Sequence, residues 1–447
     1  MLLSCLLAMT GCTVGPNYQK PKPKMPERWV GPTAATGTAQ DIAQWWTTFG
    51  DSTMVSLVDR AIQSNLDLRQ AQSRVRQARA ARGVVSAGFW PAADLTGSLS
   101  RSRASGNLYQ AGLDAAWEVD IFGGVRRDIE AAEADIEAAI EDQRDVQVTL
   151  GAEVALNYID LRGFQQQIVI AQDNLKAQQH SAQLTRERFQ GGFVSGLDVA
   201  NADAQVATTA SQIPLLEASA QQTIYSLSIL LGLEPAALLD ELSAASSIPA
   251  GPPGVPIAVP SELLRRRPDI RRAEAQIHGA TARIGVATAD LFPRFSISGS
   301  MGYRNSQVNS LTDWKNRFWS LGPSASWTIF DAGRIGSNIE VKKALQEQYL
   351  IAYQKTVLTA LQDVENALIA STKEQEHRKV LTEAVTANRK AVDLATQLYA
   401  EGQTDFLSVL EAQRSLYASE NSLVQSTRNV STDLVALYKA IGGGWEN

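Results

Sequence analysis

Few residues in this 447-residue chain have the types and spacing that metal or nucleophilic chemistry requires. The 3 histidines, His180, His278 and His377, lie far apart in polar stretches, so we expect each on a solvated helix face. The 2 cysteines cannot supply a disulfide framework or a Cys-type zinc site. The sequence contains neither a Gly-x-Ser-x-Gly nucleophile elbow nor a phosphate-binding Gly-Lys loop. We therefore predict a protein that is not an enzyme and that holds no metal or cofactor.

One cysteine stands in a context that predicts a covalent modification. Residues 2–9 form a short apolar run, and Thr-Gly directly precedes Cys12. This pattern resembles a bacterial lipobox, in which the cysteine is lipidated and becomes the first residue of the mature chain. We predict a signal peptide over 1–11, a lipid on Cys12 and a Pro- and Lys-rich extended arm over 12–50. An ordinary secretory signal is the alternative. The leader lacks the Lys or Arg that signal peptides carry, so we expect the true start codon to lie further upstream. Cys5 is a rival lipidation site, but almost no apolar sequence precedes it.

Charge and hydropathy narrow the range of partners. The formal net charge is -6, and this net acidity argues against binding to nucleic acid. No apolar run approaches the roughly 20 residues that a membrane-spanning helix needs.

The chain contains an internal duplication of about 200 residues. Three pairs of segments match: 88–103 with 290–305 at an offset of 202, 117–139 with 327–348, and 188–205 with 398–415 at an offset of 210. We predict two repeats, each with equatorial helices, a β hairpin and a long helical hairpin. The predicted bounds are 51–247 (β hairpin 92–122, helical hairpin 123–232), a Pro/Gly linker 248–260, 261–441 (β hairpin 293–330, helical hairpin 332–441) and a tail 442–447.

Four segments alternate apolar and polar residues with the period of a β-strand: 94–102, 108–122, 294–304 and 318–329. Aromatic residues on the apolar face are spaced eight apart in three pairs: Tyr109 and Trp117, Phe295 and Tyr303, Trp319 and Trp327. Eight residues of strand extend roughly 26 Å, close to the height of a lipid-facing band with an aromatic girdle at each interface. The opposite face is small and polar, as a water-filled lumen requires. A half-buried soluble sheet is the alternative.

Four strands are too few to close a membrane barrel, for which about eight is the minimum. An open sheet edge is not tolerated in lipid. The barrel must therefore be shared among subunits, and a water-filled lumen favours three chains over two.

Long helices complete the pattern. Residues 124–190 lack proline and, if fully helical, would extend about 100 Å. Apolar residues recur there at every seventh position, which predicts coiled-coil packing: Val154, Leu161, Ile168, Leu175, Ala182 and Phe189. A neighbouring glutamine stripe, Gln165, Gln172 and Gln179, is expected to face a wet channel. We expect the returning helix to be interrupted at Pro214.

Five motifs in order, on this duplicated frame, resemble the TolC-like outer-membrane factor family, in particular the lipoprotein branch of tripartite efflux channels. They are 11–21 (GCTVGPNYQKP), 45–68, 117–124 (WEVDIFGG), 263–277 (LLRRRPDIRRAEAQI) and 410–416 (LEAQRSL). The resemblance implies an α+β membrane protein in the Gram-negative outer membrane. It further implies a homotrimer whose 12-stranded β-barrel, four strands per chain, continues into a 12-helix periplasmic α-helical coiled-coil barrel.

The resemblance also implies a function and partners. The trimer would be the passive exit duct of an efflux pump, fed by a periplasmic adaptor protein and an inner-membrane transporter of the RND type. It would be anchored in outer-membrane lipid and gated at its periplasmic helix tip. The alternative from another class is a periplasmic coiled-coil lipoprotein scaffold without a pore.

Family gating residues map onto the second helical tip. Glu411 would contribute a carboxylate to a ring of three that repel one another and attract cations. Leu407 matches a constriction residue. Tyr399, Arg414 and Asp198 match residues that hold neighbouring helix pairs together, and Gly192, Ser195 and Gly402 would form the turns that contact the adaptor. Thr404 and Ser408 depart from the best-known non-lipidated member, which has an arginine and an aspartate there.

Overall fold

A computed structural model describes residues 13–31, 40–104, 106–252 and 259–445 of the chain. The signal peptide and Cys12 lie outside the described residues. The described residues are mostly helical and form one four-stranded antiparallel sheet. The helices are α1 Gln40–Ala43, α2 Ser52–Ser64, α3 Leu66–Ala87, α4 Gly124–Gln190, α5 Gly196–Leu230, α6 Leu239–Leu242, α7 Leu263–Arg266, α8 Pro268–Ala289, α9 Arg334–Ala400 and α10 Phe406–Ala440. The strands are β1 Ala92–Ser102, β2 Gly106–Val119, β3 Arg294–Asn305 and β4 Arg317–Ser326.

The duplication is visible in element lengths. Helices α3 and α8 each have 22 residues, α4 and α9 each have 67, and α5 and α10 each have 35. The connection between β3 and β4 has 11 residues (306–316), whereas the one between β1 and β2 has 3 (103–105). The 8 extra residues account for the change of offset from 202 before the strands to 210 after them.

The sheet has the order β1-β2-β3-β4, and its register keeps the predicted faces separate. Leu95, Leu113, Met301 and Trp319 oppose one another in one row of the apolar face. Asp94, Asp114, Ser300 and Ser320 form the next row, on the polar face. Since directly opposed residues share a face, one surface of the sheet is apolar and the other is polar.

Two strands are shorter than predicted. Strand β2 ends at Val119 instead of 122, and β4 ends at Ser326 instead of 329. The Asp120 carboxylate accepts hydrogen bonds from the Val125 and Arg126 amides, at 3.2 and 3.0 Å. Asp331 likewise accepts from the Ile335 amide at 2.9 Å. The chain leaves the sheet early because these aspartates cap the helices that follow.

The described chain forms two compact units, which do not coincide with the two repeats. One comprises 13–24, 71–143 and 269–357 and contains the whole sheet. Within it Phe122 stacks on Phe292, with ring centroids 4.6 Å apart. The prediction for His278 was wrong: its ring stacks on Tyr18 at 4.4 Å. His180 and His377 are exposed, as expected.

The other unit comprises the described parts of 25–70, 144–268 and 358–447. Trp45 is buried there and stacks on Tyr438, with ring centroids 5.3 Å apart. The glutamine stripe was partly wrong, because Gln165 is buried and its amide donates to the Leu242 carbonyl at 2.7 Å. The linker is held where it is described, since the Ser431 hydroxyl donates to the Pro249 carbonyl at 2.7 Å.

Helix α5 continues through Pro214, so the predicted interruption there was wrong. Proline removes one backbone donor and leaves the carbonyl of Ala210 without that partner. Pro214 is exposed, and solvent at such a position can satisfy the freed carbonyl.

Among the described residues, no helix combines the length and the hydropathy needed to cross a membrane. The same residues contain no group of three or more His, Cys, Asp or Glu that could hold a metal ion.

One half-buried carboxyl group, that of Asp433, makes the stability of the fold depend on pH. Burial raises the pKa of the Asp433 carboxyl to about 6, and the nearby Glu374 carboxylate adds to the rise. The folded chain therefore binds this proton more tightly than the unfolded chain, and its contribution to stability is lost as the pH rises through about 6. Solvent screens this half-exposed group and reduces the effect. Asp433→Asn should therefore raise the free energy of unfolding by about 1 kcal/mol at pH 8 and leave it unchanged at pH 4.

Urea unfolding midpoints at the two pH values measure this effect. Asp393→Asn, at an exposed position of α9, is the matched control and should show no gain. An equal effect of Asp433→Asn at both pH values would contradict the assignment.

Candidate functional site

The predicted tip is built from two turns with the same construction. Helix α4 ends at Gln190, and Gly192 follows with a φ of 77°, in the left-handed region that glycine favours. Ser195 then caps α5 by accepting from the Asp198 amide, while the Asp198 carboxylate accepts from the Ser195 amide at 2.9 Å. This reciprocal capping box fixes the start of α5.

The second turn repeats this geometry between α9 and α10. Gly402 has a φ of 78°, and Asp405 caps α10 by accepting from the Ser408 amide at 3.0 Å. Hydrogen bonds from the Ser408 hydroxyl and amide lower the pKa of the Asp405 carboxyl. Gly192, Ser195 and Gly402 thus all lie in or beside the turns; that the adaptor contacts them stays a prediction.

An apolar cluster directly behind the turns joins the two hairpins. Tyr399 of α9 is 2% exposed, and its ring lies 5.6 Å from that of Phe406 at the start of α10. The other buried members are Ala182 of α4, Ala202 of α5, and Val409 and Leu410 of α10. Because all four helices contribute, this cluster packs one hairpin against the other.

Polar contacts connect the same helices. The Tyr399 hydroxyl donates to the Thr185 hydroxyl at 3.2 Å. The Arg188 guanidinium lies 4.7 Å above the Tyr399 ring and also donates to the Tyr399 carbonyl. Gln413 donates to the Ser181 hydroxyl at 2.8 Å, and Arg414 donates to the Gln205 amide oxygen at 2.7 Å.

Three of the predicted gate residues lie along one stripe of α10. Leu407, Glu411 and Arg414 follow at spacings of four and three, which places them on one helix face. Leu407 is 50% exposed, and Glu411 and Arg414 are also exposed. The stripe therefore presents one apolar, one acidic and one basic side chain away from the cluster.

The fourth and fifth predicted gate residues differ in their contacts. Tyr399 does hold the hairpins together, through Thr185 and Arg188. The contacts that the structure records for Asp198 are instead within its own turn, to the amide and hydroxyl of Ser195. Within one chain, Asp198 caps a helix rather than bridging two hairpins.

Sequence reasoning missed Arg188, Thr185, Ser181 and Gln413. The seven-residue repeat assigned Phe189 to the packed seam, yet that ring is half exposed and the preceding Arg188 packs on Tyr399. Near the end of α4 the packed face has thus shifted by one residue. The one sequence signal for this contact was the position of Arg188, directly before the predicted seam residue Phe189.

The six predicted girdle residues lie in the first unit. Tyr109, Trp117, Phe295, Tyr303 and Trp319 belong to strands and share the apolar face; Trp327 follows the end of β4. Trp319 is 76% exposed. The Trp117 and Trp327 indoles occupy matching positions of the repeats and donate to the carbonyls of Phe89 and Leu291, each at 3.0 Å. Their polar edges are satisfied while the rings stay available to an apolar environment.

Comparison with known proteins assigns the chain. The sequence profile of the outer membrane efflux protein family matches residues 57–233 and 259–443, once in each repeat. The chain belongs to this family. Its relatives include pyoverdine export outer membrane protein OpmQ of Pseudomonas aeruginosa, 34% identical over 100% of this chain and 97% of OpmQ. Nodulation protein T of Rhizobium leguminosarum bv. trifolii is 31% identical over 98% and 96% of the two chains.

A solved structure extends the similarity to the fold. The outer-membrane channel OprN superposes with a TM-score of 0.89 at 37% identity, covering 97% of this chain and 100% of that one. The predicted fold is confirmed: a mostly helical, internally repeated chain with a four-stranded sheet, like the trimeric channels of the family. The protein is the outer-membrane component of an efflux pump, a conduit and not an enzyme. It works with adaptor and inner-membrane pump components, and the pore-less scaffold is not favoured.

The contacts of Arg188 give a test of how the hairpins are tied. Arg188→Met removes the donor to the Tyr399 carbonyl and the cation–π contact, so amides of residues 399–405 should exchange hydrogen about fivefold faster. Hydrogen exchange with mass spectrometry measures this rate. Arg186→Met is the matched control, because Arg186 pairs with Asp203 of α5 within the first hairpin. Equal rates in the two variants would show that Arg188 does not tie α9 to α4.

Proposed function

We propose that this outer membrane efflux protein is a lipid-anchored trimeric duct whose periplasmic entrance is closed by the stripe Leu407, Glu411 and Arg414. The observation that carries the proposal is the arrangement of the tip. Buried and hydrogen-bonded contacts tie the two hairpins of one chain together, while this stripe stays exposed on the outer side of the cluster.

The sheet supports the duct. Within the described part of one chain, β1 and β4 each pair with a single strand. Three chains would pair each β4 with a neighbouring β1, which satisfies the edges that lipid does not tolerate. The apolar face with its aromatic residues would then meet lipid, and the polar face with Asp94, Asp114 and the paired Ser300 and Ser320 would line the lumen.

The gate follows from charge. Three Glu411 carboxylates brought to one axis repel one another, so closure needs contacts that offset this repulsion. Arg414, one turn further along α10, supplies a positive charge whose guanidinium is held by Gln205 of α5. Where this positive charge no longer offsets it, the repulsion among the Glu411 carboxylates would separate the tips, and the carboxylates would then draw cations into the entrance.

Substrate choice belongs to the inner-membrane partner, for which we propose an RND-type transporter. The names of two relatives support a duct that does not itself select, since OpmQ is named for pyoverdine export and TtgF of Pseudomonas putida for toluene efflux.

The gate is tested by removing its charges. Glu411→Ala combined with Arg414→Ala should increase the open fraction about tenfold, because the closing contacts exceed the Glu411 repulsion that they offset by about 1–2 kcal/mol, and both are lost together. Single-channel conductance of purified protein in planar bilayers reports the change. Asp173→Ala with Lys176→Ala, an exposed ion pair on α4, is the control and should leave conductance unchanged. Unaltered conductance in the gate variant would place the closure elsewhere.

The lipid anchor is tested separately. Cys12→Ser should abolish incorporation of radiolabelled palmitate into the protein, because serine offers no thiol for acylation. Cys5→Ser is the matched control and should leave labelling intact. Label that survives Cys12→Ser would rule out this anchor.

A further inference from the structure

The residues that follow Cys12 are docked, although they form no regular secondary structure. The Val14 amide donates to the Phe122 carbonyl at 3.1 Å, just after strand β2. Thr13 lies so close to Gly123 that a Cβ on this glycine would stand 2.8 Å from the threonine side chain. The first described residues of the arm therefore pack against the junction of β2 and α4.

Arg127 lies in the first turn of α4, and its side chain binds the main chain of the arm. It is 3% exposed, and its Nε donates to the Val14 carbonyl at 3.1 Å. One terminal nitrogen donates to the Asn17 amide oxygen at 2.6 Å, and the other donates to Glu130 at 2.7 Å. A buried guanidinium whose planar donors are divided in this way fixes the position of the bound backbone.

Two glycines make the fit possible. Gly15 has a φ of 86°, and a Cβ there would lie 2.5 Å from Gly285 Cα on α8. A Cβ on Gly285 would in turn lie 2.8 Å from the Arg127 side chain. The arm, α8 and Arg127 thus form three layers at distances that no larger residue allows.

A second set of contacts is made by Tyr18 and Lys20 of the arm. The Tyr18 hydroxyl donates to Glu274 at 3.2 Å, and Lys20 pairs with the same carboxylate at 2.9 Å. The Tyr18 ring stacks on His278, whose Nε2 lies 3.1 Å from Glu130. Because Glu130 also binds Arg127, the two sets of contacts share one carboxylate.

Exposed apolar side chains surround the same strand–helix junctions in this unit. Phe89, Trp90, Ile121 and Leu291 lie at the ends of β1, β2 and β3 where the chain enters or leaves a helix, and all are exposed. We name these four residues the junction rim. Large apolar side chains clustered at the surface mark a contact with an apolar partner.

We propose that Arg127, Gly15 and Gly285 form a receiving site for the lipidated N-terminus, which delivers the acyl chains of Cys12 to the junction rim. The inference rests on the proposed lipidation of Cys12. If the arm were free up to Lys24, Cys12 could move up to about 40 Å from that residue. With the arm docked from Thr13 onward, only a few ångströms of chain separate Cys12 from the docked segment. The short tether raises the effective concentration of the acyl chains at the rim.

Two variants and one control test the site in the full-length protein in lipid nanodiscs. Gly15→Ala blocks docking from the arm alone, and Arg127→Met removes the donors from the body. Arg283→Met is the control, since Arg283 pairs with Asp135 in the same unit without touching the arm. Each protein is produced in cells fed a palmitate analogue that carries a photoactivatable diazirine.

Two readouts separate docking from lipidation. The Val14 amide should exchange hydrogen slowly in the parent and control, and at least about tenfold faster in Gly15→Ala and Arg127→Met. Cross-links from the diazirine should concentrate in the parent on 88–92, 119–123 and 289–293 and fall about tenfold in both variants. The mass of the lipidated N-terminal peptide should be the same in all four proteins.

Exchange at Val14 that is fast in the parent or unchanged in both variants overturns the receiving site. Cross-links distributed alike in the parent and Gly15→Ala overturn the delivery of acyl chains to the rim. A parent without lipid on Cys12 overturns the proposed anchor, and Val14 exchange then decides the docking site independently.

Discussion

The constraint on which this architecture depends is the pairing of backbone groups at the two edges of the sheet. Among the described residues of one chain, β1 and β4 each present a row of amides and carbonyls without a strand partner. Water can form hydrogen bonds with such groups, but in hydrocarbon each one stays unpaired, at a free-energy cost of about several kcal/mol. The sheet is therefore compatible with a membrane only when neighbouring chains complete it, and assembly becomes a condition of the membrane-inserted state.

How much could be predicted from the sequence differs between elements. The strands, their faces and the long helices followed from periods of two and seven residues, because each buries or exposes one face along its whole length. Strand ends were wrong where Asp120 and Asp331 cap the next helix, a contact that competes with strand extension. The predicted interruption at Pro214 was wrong, because a proline destabilises a helix less at an exposed position than at a packed one.

Contacts between segments distant in sequence were the least predictable part of the candidate site. The gate stripe of α10 was predicted from a family resemblance. Arg188 and Ser181 could not be predicted in this way, because their partners lie on α9 and α10, more than 200 residues away. Likewise, the sequence around His278 predicted a solvated side chain. Its stacking on Tyr18 depends on the Pro- and Lys-rich arm, whose position the sequence pattern does not indicate. Periodicity reports the face that a helix buries, whereas a specific partner comes from the tertiary fold.

The unequal hairpin connections carry a consequence for variation of the molecule. The two repeats agree in the length of every long helix, yet the β3–β4 connection is 8 residues longer than the β1–β2 connection. A loop at the far end of a hairpin can grow without shifting strand register, because the entropy of closing it rises only slowly with length. The far end of the β3–β4 hairpin can therefore accept insertions and deletions while the sheet register and the length of every long helix stay unchanged.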